Sequence, residues 1–143
     1  MNIKLNVLKS SVEGKRVVVV DDSIVRGTTS ANIIRDLKRA GAKEVHFRIS
    51  SPPFLWPCYF GTDIPSRDCL MGVQYTVDEM CKIIGADSLG FLSMEALDEI
   101  AQNLDCNYCH GCFTEKYPMD VSDVDHEIEL DGKYRNIKYE PNI

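Results

Sequence analysis

Val17-Val18-Val19-Val20-Asp21-Asp22-Ser23-Ile24-Val25-Arg26-Gly27-Thr28-Thr29-Ser30 is the stretch that decides the fold. The four consecutive valines, led in by Arg16, predict a strand buried on both faces, as in a parallel sheet. Small and polar residues follow, Ser23 to Ser30. Ala31, Ile34, Leu37 and Ala40 then recur at helical spacing among Arg35, Lys38 and Arg39. Gly41 is a natural helix stop. Glu44 to Ser50 reads as a second strand, so the order strand, helix, strand predicts a right-handed βαβ unit.

The chemistry of the stretch follows from its place in such a unit. A buried strand delivers Asp21 and Asp22 to its C-terminal edge, where open α/β sheets bind ligands. The loop then enters a helix whose first N–H groups have no partner and whose dipole is positive there, which suits an anion. Gly27 lets the backbone approach a ligand, and Thr28, Thr29 and Ser30 add hydroxyls. Two carboxylates beside a phosphate cradle suit a sugar phosphate: acids for hydroxyls or a divalent cation, amides for the phosphate. Neither G-x-x-x-x-G-K-[ST] nor G-x-G-x-x-G occurs in the chain. For a bare Asp-Asp-Ser the plainer account would be a strand end followed by a helix cap.

Outward from this stretch, Ser51 to Gly72 is rich in Pro, Gly, Asp and Ser and reads as loop. Thr76 and Glu79 fit a capping box opening a helix to Ile84, stopped by Gly85. Ser88 to Leu92 is a short strand candidate, and Ser93 caps a helix to about Leu104, with Glu95 placed for the dipole. Beyond Met119 the chain is acidic and polar. The expected division is 1–104 as a partial α/β domain, 105–119 as a Cys-rich segment and 120–143 as a loosely packed or disordered polar tail.

The 143 residues amount to one domain or part of one, and 44% hydrophobic content is enough for a core. A net charge of −6 argues against general nucleic-acid binding. No apolar run approaches the ~20 residues of a membrane span, and Met1 to Asn6 lacks the apolar stretch of a signal peptide. The expectation is a cytoplasmic protein with no membrane or nucleic-acid partner. Six cysteines, three of them at Cys106, Cys109 and Cys112, then point to a metal or cluster before disulfides.

Asp21 to Ser30, behind its apolar strand, resembles the phosphoribosyl-pyrophosphate (PRPP) motif of type I phosphoribosyltransferases. Its wording is similar to that of the amidophosphoribosyltransferase family. Lys4-Leu5-Asn6, Glu13-Gly14-Lys15-Arg16, Gly61-Thr62-Asp63-Ile64-Pro65-Ser66, Ile83 to Leu89, Cys112-Phe113-Thr114 and Lys116-Tyr117-Pro118 extend the likeness. The resemblance implies an α/β fold: part of a type I phosphoribosyltransferase-like parallel sheet with flanking helices, plus the Cys-rich C-terminal segment. It implies that Asp21 and Asp22 hold the ribose hydroxyls and Mg²⁺. The backbone of Ser23, Val25, Arg26, Gly27, Thr28 and Thr29, with the two threonine hydroxyls, would grip the 5′-phosphate. Purine-salvage relatives usually carry an acidic base where this chain has Val25. Ammonia, already a nucleophile, would need none.

In the iron–sulfur branch of that family, Cys109 and Cys112 would ligate a [4Fe–4S] cluster together with Cys58, and a fourth ligand would come from upstream. Cys106 is an alternative fourth ligand, and a C-x-x-C alone also suits zinc. Cys69 and Cys81 read as ordinary residues, His46 and His126 as carrying no signal, and Trp56 as packing; His110, inside the C-x-x-C, reads as loop, with a zinc ligand as the alternative. The resemblance further implies PRPP, glutamine or ammonia as substrates, purine nucleotides as inhibitors and a homo-oligomer. It also implies a glutaminase domain and a pyrophosphate loop that this chain does not contain, hence a C-terminal fragment inactive alone, whose sheet has an unpaired edge. Two other readings stay open: a non-catalytic PRPP or nucleotide-phosphate binding module, and a small zinc or iron–sulfur interaction protein.

Overall fold

The computed structural model describes residues 7–62, 64, 66–102 and 108–121. Its frame is a three-stranded parallel sheet in the order β1-β2-β3, formed by Arg16–Asp21, Glu44–Ile49 and Ser88–Phe91. Val18 lies opposite His46 and Val20 opposite Arg48, while Phe47 lies opposite Leu89. Two helices cross over between these strands: α2 (Thr28–Arg39) and α4 (Val77–Ile84). The short helices α1 (Lys9–Val12) and α3 (Met71–Gln74) were not legible as periodic runs, because four residues show no period. A 3₁₀ turn at Arg67–Cys69 precedes α3, so the expected loop from Ser51 to Gly72 is structured at its end.

The boundaries have local causes. α2 starts at Gly27, in the left-handed region at φ 76°, and stops before Gly41. α4 starts with the expected capping box: Thr76 Oγ1 accepts from the Glu79 N–H, and the Thr76 N–H donates to the Glu79 carboxylate at 2.8 Å. Gly85, left-handed, ends it. Ser93 Oγ accepts from the Ala96 N–H at 3.1 Å and opens α5 (Met94–Ala101). The expected extension of α5 to Leu104 runs outside the described residues, as do Cys106 and most of the polar tail.

The core lies on one side of the sheet. Val45, Phe47 and Ile49 pack with Ile34 and Leu37 of α2 and Met80 and Ile84 of α4. This corrects the reading of β1 as buried on both faces. Val17 and Val19 are half-buried, whereas Val18 and Val20 are 63% and 71% exposed. The reason is handedness: two successive right-handed crossovers running the same way place both helices on one face. The other face carries a polar row instead. His46 bridges Glu44 (3.0 Å) and Ser88 (2.8 Å), and Arg16 pairs with Glu44 at 2.6 Å. These pairings make His46 a structural residue, which its sequence context did not signal. Among the described residues no strand pairs with the outer edge of β1.

A second, smaller apolar cluster joins Phe54, Ile64 and Leu70 with Val25, Cys58, Cys112 and Phe113. It docks the segment around α6 (Gly111–Thr114) onto the long loop. No helix among the described residues is long and apolar enough to cross a membrane.

Candidate functional site

β1 ends at Asp21, and the next residue already leaves the sheet. The Asp22 N–H donates to Asp21 Oδ1 at 3.1 Å, so the two acids stay adjacent at the C-terminal edge. The Ser50 N–H and hydroxyl both donate to the Asp21 carbonyl, at 3.0 and 3.2 Å, which ties the ends of β1 and β2 together. Burial pushes the Asp21 carboxyl above the usual aspartate range. The Asp22 N–H opposes this, and the neighbouring Asp22 carboxylate adds to it. Two crowded carboxylates, one held back from ionising, form a place that a cation would stabilise. Ser51, just beyond, has a buried hydroxyl with no partner among the described residues. A serine after a strand gave no sign of this in the sequence.

The loop from Ser23 to Gly27 is anchored in two directions. Ile24 is buried in the main core and Val25 packs in the smaller cluster. Thr28 and Thr29 are exposed at the start of α2. The first bond of α2 runs from the Ala31 N–H to the Gly27 carbonyl at 2.9 Å. The N–H groups of Thr28, Thr29 and Ser30 therefore precede the helical ladder and are available to an anion. The structure thus brings Asp21, Asp22, Ser23, Val25, Arg26, Gly27, Thr28 and Thr29 into one turn, as their contiguity requires.

The cysteines are assembled differently. Cys58 lies on the long loop, whose antiparallel bridge joins it to Ile64. The Leu55 and Trp56 N–H groups both donate to the Cys112 carbonyl at 3.0 Å. Tyr117 donates to the Pro57 carbonyl at 2.7 Å. Gly111 lies so close under the Tyr117 ring that a Cβ there would overlap it. Burial pushes the Cys112 thiol up to about 11, and the charges of Cys58 and Cys109 add to the shift. Burial also acts against the Cys58 thiolate, but N–H groups of Phe60, Thr62 and Gly61 outweigh it and the net shift is downward. The Thr62 N–H lies 3.4 Å from Cys58 Sγ.

The three thiols therefore sense one another across two chain segments, and Cys58 is already surrounded by N–H donors of the kind that stabilise a metal-bound thiolate. The donor chemistry fits a sulfur-ligated centre. As they stand, no three Cys, His, Asp or Glu side chains among the described residues converge enough to hold a metal ion. Cys81 lies elsewhere, half-buried, its thiol donating to the Ala86 carbonyl. Trp56 carries the Arg67 guanidinium 3.8 Å above its ring, and His110 stands at the N-cap position of α6, its Nδ1 2.7 Å from Thr114 Oγ1 rather than on a capping N–H.

A parallel α/β unit with an acidic pair at a strand end, a glycine-turned loop and a bare helix N-terminus has the phosphoribosyltransferase type of fold. Sequence comparison makes the assignment narrower. The amidophosphoribosyltransferase of Archaeoglobus fulgidus is 51% identical over 123 residues, 85% of this chain and 27% of that protein. The Bacillus subtilis amidophosphoribosyltransferase is 48% identical over 125 residues, 85% of this chain and 26% of that protein. A solved structure of B. subtilis glutamine PRPP amidotransferase, complexed with ADP and GMP, superposes with a TM-score of 0.74 at 47% identity. It covers 85% of this chain, which in turn covers 28% of it. No family model matches the chain. The matched segment belongs to the amidophosphoribosyltransferase family, and the chain spans about a quarter of the length of the curated relatives it matches.

Proposed function

We propose that this chain provides the ribose-5-phosphate-binding part of an amidophosphoribosyltransferase. That enzyme forms 5-phosphoribosylamine from PRPP and glutamine-derived ammonia, the first committed step of purine synthesis. The observation that carries the proposal is the single turn holding Asp21, Asp22 and the start of α2 at the C-terminal edge of β1.

In this proposal Asp21 and Asp22 accept hydrogen bonds from the ribose hydroxyls and would hold Mg²⁺, whose chemistry there would be charge neutralisation of the pyrophosphate. Their negative charge also favours the cationic character that develops at the ribose ring. N–H groups between Ser23 and Thr29, with the Thr28 and Thr29 hydroxyls, hold the 5′-phosphate. Val25 offers no base, and ammonia attacking the anomeric carbon needs none. Purine nucleotides carry the same 5′-phosphate and would compete for the loop. The proposal includes a homo-oligomeric, cytoplasmic enzyme and the division into 1–104, 105–119 and 120–143.

Titration of the full chain with PRPP in the presence of Mg²⁺ tests the site. Saturable binding that weakens in both Asp21→Asn and Asp22→Asn is expected. No binding, or binding indifferent to both changes, would refute it. We propose further that Cys58, Cys109 and Cys112 hold a [4Fe–4S] cluster, in a structural role that pins the C-terminal segment to the loop. The intact enzyme, purified anaerobically, should then be brown, with iron and sulfide each at about four per chain. Colourless protein with one zinc per chain would overturn that assignment.

A further inference from the structure

The phosphate loop is held from behind by a residue far along the chain. The Met71 N–H, at the start of α3, donates to the Val25 carbonyl at 2.8 Å. The Met71 side chain is only 4% exposed and lies in the main core. A Cβ placed on Gly27 would come 2.6 Å from Met71 Sδ and 3.4 Å from Ile84 Cγ2. The thioether therefore fills the space immediately behind the glycine that turns the loop into α2. α3 itself is fixed hard: a Cβ on Gly72 would meet the Phe54 carbonyl at 2.7 Å, so that backbone is pressed against the long loop. One residue thus contacts the loop through both its backbone and its side chain.

We propose that Met71 is a positioning residue for the phosphate loop: its N–H fixes the Val25 carbonyl, and its thioether supports Gly27, so that the loop amides stand oriented before the phosphate arrives. This deepens the ribose-5-phosphate assignment and rests on it. Preorganised donors bind an anion without an ordering cost at the moment of binding. An unbranched, polarisable thioether suits an irregular gap beneath a turn. Gly27 is then required twice, for its positive φ and for the space that Met71 occupies.

The test combines ribose 5-phosphate titration of the full chain with amide hydrogen exchange in its absence. Met71→Ala keeps the N–H but removes the support. It should weaken ribose 5-phosphate binding about tenfold and speed exchange of the residue-71 and Ala31 amides, which donate to the Val25 and Gly27 carbonyls, by a similar factor, the size of a typical point-mutant effect. Because Met71 also packs in the core with Val45, Phe47 and Ile49, exchange in Val45–Ile49 reports the global loss of stability, and loop loosening is the acceleration beyond it. Met71→Leu, of similar volume, should restore both within about threefold. Met71→Val gives the same comparison with a smaller truncation if the alanine variant does not fold. Gly27→Ala should cost less in a Met71→Ala background than alone, because the new methyl enters vacated space. Unchanged affinity and exchange in Met71→Ala, or a leucine variant as impaired as the alanine one, would overturn the proposal. Failure of the unsubstituted chain to bind ribose 5-phosphate would instead refute the site assignment, and the exchange measurement would still decide whether Met71 holds the loop.

Discussion

The phosphate loop and the cysteine corner are both candidate sites, yet they are built on opposite plans. Asp21 to Thr29 are contiguous, and the turn from a strand into a helix is enough to bring their groups together. Cys58 and Cys112 meet only because Phe54, Ile64 and Leu70 form a floor beneath both segments. The first site is specified by local backbone geometry and the second by packing between distant segments. The two plans touch at Val25, whose side chain lies in the cysteine corner's apolar cluster while its backbone belongs to the loop. A change in one region should reach the other through that residue and through α3.

The comparison can be broken by removing the shared floor. Leu70 is fully buried, so Leu70→Ala should cost about 2–5 kcal/mol, the range for such truncations. Thermal denaturation would measure the loss, and alkylation of Cys112 should accelerate in the variant. If Cys112 labelled no faster, the corner would not depend on that floor. Next, replacing Asp21 and Asp22 together by asparagine should weaken Mg²⁺–PRPP binding at least about 10²-fold, as hydrogen bonds to charged groups contribute about 1.5–3 kcal/mol each. The cysteine alkylation pattern should stay unchanged, because neither acid is among the described members of the corner's apolar cluster.

Thr76→Ala provides a reference outside both sites. Loss of its cap on α4 should cost about 1 kcal/mol in denaturant melts, leaving phosphate binding and thiol reactivity alone. The smallest effect is a pH slope. In metal-free protein the Cys112 thiol is raised from 9.0 to about 11 on folding. The unfolded chain therefore loses its proton first as pH rises, so stability declines from about pH 9 until the folded thiol also ionises near 11. Cys112→Ala should flatten that slope in urea melts taken across pH 8 to 11. An unaltered slope would assign the alkaline loss elsewhere. Cys58, shifted the other way, should be alkylated before Cys112 at neutral pH.

The first βαβ unit, the capping box at Thr76 and the stop at Gly85 were legible because each depends on residues close together in sequence. The PRPP-type loop was legible for the same reason, and its resemblance to a known motif sharpened it. What was misread shares one cause. Val18 and Val20 look like core residues, but which face of a strand is covered depends on where the crossover helices go. His46 gave no signal because one of its two partners, Ser88, sits on another strand far along the chain. Met71 and the unpartnered Ser51 hydroxyl likewise lie in a stretch with no periodicity, where only neighbours in space give them meaning.

By itself, then, the sequence determined the local matters: the strand that ends in two acids, the glycine that turns the loop, and the helix caps. These are set by φ/ψ preference and by hydrogen bonds a few residues long. Only the tertiary structure decided which side of the sheet holds the core, that Cys58 and Cys112 pack on one apolar cluster, and that a methionine lies behind Gly27. Those depend on burial of apolar surface between segments far apart in the chain, and no short-range pattern encodes which segment meets which.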